Sequence, residues 1–127
     1  MAKTTIPTAT ELAILQVLWT HGPLTVREVH EHLTASESLG YTSVLKMLQV
    51  MHKKGLVKRN DQQRSHVYRS ARPAEQTQQG LVSNLVDKAF AGSATDLVVR
   101  ALSAKKLSSD EIDAMRALIE QKAREND

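Results

Sequence analysis

The sequence predicts a mostly α chain with a small β-hairpin wing: a winged helix-turn-helix followed by a C-terminal helical arm. Three observations predict it. Helical periodicity recurs three times before Gly55, then gives way to two short extended segments around a polar turn. Positive charge gathers in the same stretch, where eight Lys/Arg between Lys46 and Arg72 face one acid, Asp61. After Pro73 the pattern becomes helical again with no further hairpin, which divides the chain into 1–72 and 73–127.

Each element carries its own start or stop signal. Thr8-Ala9-Thr10-Glu11 is a Thr-x-x-Glu capping box, after which Leu12, Leu15, Leu18 and Trp19 recur at helical spacing until His21-Gly22-Pro23 ends the run. A second helix opens at Thr25, with Glu28 three residues on and Val26, Val29 and Leu33 as its apolar stripe. Thr34 to Gly40 reads as a turn. The third helix runs from Gly40 or Tyr41 to Lys54 with Gly55 as a left-handed stop. Its apolar side is Val44, Leu45, Leu48 and Met51; its other side is Thr42, Ser43, Lys46, Gln49 and Lys53. Leu56 to Arg59 and Ser65 to Arg69 then read as paired strands about the turn Asn60 to Gln63.

In the second half, Ala74 to Phe90 forms a helix with Leu81, Val82, Leu85, Val86, Ala89 and Phe90 on one broad face, broken by Gly92. Ser93 opens a helix bearing Leu97, Val98, Ala101 and Leu102. Ser108-Ser109-Asp110-Glu111 opens the last, bearing Ile112, Met115, Leu118 and Ile119. Amphipathic helices with little of their own to pack on seek a partner chain, and a two-fold dimer is the commonest solution. The expected dimerisation residues are Leu81, Leu85, Phe90, Leu97, Val98, Leu102, Ile112, Met115 and Ile119.

Composition removes several function classes. The chain has no cysteine, so disulfides, thiolate zinc sites and cysteine redox sensing are excluded. No run approaches a membrane span and the N-terminus lacks the apolar core of a signal peptide, so a soluble, cytoplasmic protein with no membrane insertion is expected. There are five histidines, but His30 and His32 stand two apart on one helix and point to different faces. No metal site and no cofactor are expected. No Ser-His-Asp context, Gly-rich phosphate loop or pair of catalytic carboxylates is present, so the chain is not expected to be an enzyme.

Charge points elsewhere. Residues 1–72 hold ten Lys/Arg against five Asp/Glu, whereas residues 73–127 hold seven against nine. Phosphate binding calls for such a basic half, although a solvated basic face would look the same in composition alone. Its place on the fold separates the two. In a helix-turn-helix the recognition helix enters the major groove with its N-terminal residues at base edges. Thr42, Ser43 and Lys46 hold that position, and Gln49 and Lys53 lie further along, nearer sugar and phosphate. Lys58, Arg59, Arg64 and His66 on the wing suit backbone contacts, which position a protein without specifying sequence. A winged helix used for protein–protein contact would instead show an apolar third helix, for which Met47 and Val50 are the two hints.

The run Thr10 to Trp19 resembles the opening of the penicillinase-repressor (BlaI/MecI/CopY) family. So do Gly40-Tyr41-Thr42-Ser43-Val44, Lys53-Lys54-Gly55-Leu56-Val57 and Ser65-His66-Val67-Tyr68; Phe90-Ala91-Gly92-Ser93 and Leu107 to Ile112 are similar to its C-terminal landmarks. The resemblance implies a dimeric bacterial transcriptional repressor on an inverted-repeat, double-stranded DNA operator, bound through the third helix and the wing. In members that control β-lactam resistance it also implies a partner, a membrane metalloprotease sensor that triggers cleavage in the arm. Those members carry Asn-Phe at the cut bond, where this chain has Arg100-Ala101. Val50 stands where the family commonly has Arg. The C-terminal cysteines of the copper-responsive branch are missing.

Overall fold

Thr8 begins the first helix twice over: its hydroxyl accepts from the Glu11 amide at 3.2 Å while the Glu11 carboxylate accepts from the Thr8 amide at 2.9 Å. In the computed structural model, which describes residues 6–33, 39–62 and 64–126, this box opens α1 (Ala9–His21). Gly22, at φ 84°, ends it. Leu24–Thr25 form β1, and Thr25 then caps α2 (Val26–Leu33), accepting from the Glu28 amide while Glu28 accepts from Thr25. α3 (Tyr41–Lys54) ends at Gly55 in the left-handed conformation, where the Leu56 amide reaches back to the Met51 carbonyl at 2.9 Å.

β2 (Val57–Asn60) and β3 (Val67–Ser70) complete an antiparallel sheet of order β1-β3-β2. Leu24 pairs with Tyr68, and Arg59 pairs with Tyr68 from the other side. The expected two-stranded hairpin is thus three-stranded, because the two-residue β1 is too short to show a period-2 pattern. The strands are also displaced from expectation: Asn60 belongs to β2, and β3 starts at Val67 and not at Ser65. The anticipated turn over 34–40 lies mostly outside the described residues, as does Gln63.

One core joins these elements. Ile14, Leu15 and Leu18 of α1 meet Val26, Val29 and Leu33 of α2 and Val44, Leu48 and Met51 of α3, closed by Leu24, Leu56, Val57 and Tyr68. Leu12 and Trp19, expected in the buried stripe of α1, are only half-buried, while Ile14 is fully covered. Trp19 lies at the edge, its indole N–H donating to Ser70 Oγ at 2.8 Å. Glu11 is 3% exposed and salt-bridged to Lys54 at 2.9 Å, which ties the start of α1 to the end of α3. Burial works to raise the Glu11 pKa, but hydrogen bonds from Lys54 and Thr8 outweigh it and hold the carboxyl below its ordinary value.

α4 (Ala74–Ala89) starts where the composition changes, yet the two compact units divide later, between Ser83 and Asn84. The first turns of α4 belong with the winged helix, and Gly80 and Leu81 line a small hollow with Ile6, Pro7 and Leu56. The second unit continues through α5 (Ala94–Ala104), capped by Ser93, to α6 (Ser109–Glu125), opened by a second capping box between Ser108 and Glu111. None of α4, α5 and α6 carries a buried residue. Among the described residues no helix is long and apolar enough to cross a membrane.

Candidate nucleic-acid interface

α3 buries one side and presents another. With Val44, Leu48 and Met51 fixed in the core, the helical repeat turns Thr42, Ser43, Lys46, Gln49 and Lys53 outward, and all five are exposed. Three of them can exchange hydrogen bonds with base edges or sugars, and the two lysines add charge. Met47 packs against the core, whereas Val50, 47% exposed, is a large apolar residue standing among them. Tyr41 stands at the N-terminal end of the helix, also exposed. The approach to α3 is held by His30, whose Nε2 lies 2.9 Å from the Leu39 carbonyl and whose ring meets Tyr41 edge-on. From its place on a helix His30 is expected to ligate no metal, and nothing in its spacing reveals a tertiary hydrogen bond to a residue nine positions on.

The wing brings its charges beside that helix. Lys58, Arg64 and His66 are exposed. Arg59 is half-buried, and Asp61 accepts from its Nε at 2.6 Å, so this guanidinium is held by a carboxylate within the wing itself. Asp61 also keeps Arg59 more firmly charged and lies 3.7 Å from His66 Nδ1. Between the wing and the start of α3 lies a hollow of about 440 Å³ lined by Thr25, Arg27, Tyr41, Arg64, Ser65 and His66, with Leu45 and Tyr68 at its floor. Arg27 and Tyr41 were not among the expected site residues. Their signal is positional: each stands in the first turn of its helix, and the fold brings those two turns to the wing.

Of the remaining histidines, His21 and His32 stack with centroids 3.8 Å apart and planes 16° apart. No group of three or more His, Cys, Asp or Glu among the described residues could hold a metal.

An exposed polar helix flanked by a cationic wing is the layout of a protein that reads duplex DNA, and comparison with known proteins agrees. The penicillinase-repressor profile matches residues 7–121. The chain belongs to the penicillinase-repressor family. It is therefore a DNA-binding transcriptional regulator of the repressor type, and not an enzyme. It is 36% identical over 118 residues to the transcriptional regulator BlaI of Mycobacterium tuberculosis, a match spanning 91% of this chain and 84% of that protein. The winged helix is similar to the DNA-binding domain of the repressor BlaI in solution, with a TM-score of 0.51, 24% identity, and 58% of this chain and 90% of that one covered. It is similar also to monomeric Bacillus licheniformis BlaI in complex with the blaP half-operator, at a TM-score of 0.51 and 24% identity over 59% of this chain and 92% of that one.

Against that family background the arm residues sort into two groups. Val98, Leu102, Ile112, Met115 and Ile119 line one groove of about 370 Å³ between α5 and α6, joined by Leu118. Leu85, on the same unit, is 47% exposed; Phe90 and Leu97 are half-buried. Leu81 differs from these, since it lines the hollow with Ile6 and Pro7 in the N-terminal unit. Arg100 and Ala101 are both exposed on α5, inside a helix and not on a loop.

Proposed function

We propose that this repressor works as a homodimer on an inverted-repeat operator, each subunit laying α3 in the major groove and its wing on the adjacent backbone. The observation that carries this reading is the division of α3 into a buried apolar side and an exposed side of Thr42, Ser43, Lys46, Gln49 and Lys53 beside the wing cations. Ser43 and Lys46 read base edges; Gln49, Lys53, Lys58, Arg64 and His66 hold sugar and phosphate, with Arg59 joining them once it leaves Asp61. Residues 1–72 supply recognition and residues 73–127 supply pairing. The exposed apolar groove of α5 and α6 supports the pairing, since a second copy covering it would remove apolar surface from water at about 25 cal/mol per Å².

Release follows from loss of the pair, because a single half-site contact is weak without its neighbour. A metalloprotease sensor acting as in the β-lactam-responsive members would have to cut Arg100-Ala101. That bond lacks the Asn-Phe chemistry and is held in helical backbone, so a different signal is proposed to dissociate this dimer.

The test is a footprint on the promoter of the protein's own gene and its neighbours, followed by titrations across salt. The expected result is protection of two half-sites related by a two-fold axis, and a log–log salt slope of about −0.9 per phosphate contact. Arg64→Ala should weaken binding to all sequences alike and flatten the slope. A changed sequence preference with an unaltered slope would remove the wing from the backbone.

A further inference from the structure

We infer that the outward face of the sheet is a second backbone-binding surface, on which Arg69, Lys58 and His52 hold duplex DNA flanking the half-site that α3 reads. This rests on the operator reading above and extends it past the recognition helix and the wing tip.

The register makes the case. Leu24, Val57 and Tyr68 turn one face of the sheet into the core. Alternation therefore puts Lys58 and Arg69 on the opposite face, where they stand directly across from one another in adjacent strands. Like charges directly opposite one another destabilise a sheet. Both are exposed, and among the described residues neither makes an ion pair that would relieve the repulsion. Pro23, His52 and Val67 join them around a hollow of about 660 Å³. The single acid at its rim, Asp61, already accepts from Arg59 at 2.6 Å, so the hollow keeps its positive character.

A site that gathers cations at a cost to its own sheet is suited to an anion. The anion of fitting chemistry is a phosphodiester, because the hollow runs on through Asn60, Asp61 and Gln62 into the wing tip and is continuous with the proposed DNA surface. His52 extends it to the C-terminal end of α3, away from the residues assigned to base edges.

The experiment compares two duplexes carrying the same operator, one ending at the outer edges of the half-sites and one extended on each side by about one helical turn, 10–10.5 base pairs. Full-length wild-type protein should bind the longer duplex more tightly, with a salt slope steeper by about 0.9 for each subunit. Arg69→Ala should lose that gain in affinity and slope, and Arg69→Lys should keep most of the slope. An Arg69→Ala protein that retains the flank gain, or that weakens equally on both duplexes, overturns the inference. Wild-type protein that prefers the operator at both lengths without any flank gain overturns this inference alone. Absence of operator preference at either length overturns the repressor reading and this surface with it.

Discussion

The two halves of this repressor solve the same problem in opposite ways. Among the described residues the winged helix closes a core of thirteen buried hydrophobic residues, drawn from three helices, three strands and Leu56 between α3 and β2. The arm, with a Ser93 cap on α5 and a capping box on α6, buries none on any of its helices and leaves Leu102 at 47% and Ile119 at 64% exposure. Good caps and good periodicity therefore form helices without forming a core. A core needs apolar faces that converge, and the arm's faces have no second layer within their own unit. Apolar surface here is divided between a fold that is complete in one chain and, in the homodimer proposed above, a fold that a second chain would complete.

Removing the arm tests that contrast with the largest effect. A chain ending after Ser83 keeps the turns of α4 that belong to the first unit. It should remain folded, run as a monomer in sedimentation, and bind the operator roughly 10²–10⁴-fold more weakly than the full chain, by loss of the linked second site. A truncated form that still dimerises and holds the operator as tightly would place the pairing surface in the winged helix.

Point substitutions sharpen it. Leu48→Ala, at a position with 0% exposure, should lower the unfolding free energy by about 2–5 kcal/mol at every protein concentration. Leu102→Ala should leave the intrinsic stability of the winged helix alone and instead raise the dimer dissociation constant, read by sedimentation. If Leu102→Ala destabilises the protein independently of concentration, the groove on α5 and α6 is core and not interface.

On the DNA side, Lys46→Ala should cost roughly 1–3 kcal/mol on the operator and much less on random duplex. Equal losses would make Lys46 a phosphate contact.

The Glu11–Lys54 bridge gives a pH signature confined to the first half. The Glu11 carboxyl is held below its ordinary value of 4.5, so it contributes stability above that pH and loses it as pH falls through the lowered folded-state value. Glu11→Gln should lower stability by about 1–3 kcal/mol near neutrality, and its deficit should shrink in titrations below the carboxylate range. A deficit that stays constant with pH would mean that packing, and not charge, is what the substitution removes. The smallest effect is expected at Asp61. Asp61→Asn releases Arg59 for phosphate and should tighten duplex binding by roughly two- to fivefold, the scale of an exposed ion pair. The gain should vanish in an Arg59→Ala background.

Local rules determined a large part of this protein from sequence. Capping boxes at Thr8 and Ser108, the left-handed stop at Gly55 and the 3.6-residue stripes of α2 and α3 are all written in neighbouring residues, so helix positions and the outward set from Thr42 to Lys53 were legible. Charge counting found the basic wing, and the order of elements together with the family resemblance gave the repressor class. Tertiary structure decided what depends on distant partners. β1 exists only because Leu24 and Thr25 meet Tyr68 and Val67, more than forty positions away. Arg59 looks free in sequence, but the turn delivers Asp61 to it. Arg69 and His52 become neighbours of Lys58 only through strand register and the end of α3. Leu81 and Leu85 share one apolar stripe in sequence, yet they fall on opposite sides of the unit boundary. A one-dimensional pattern specifies which residues share a face, and only the packing of elements specifies what that face meets.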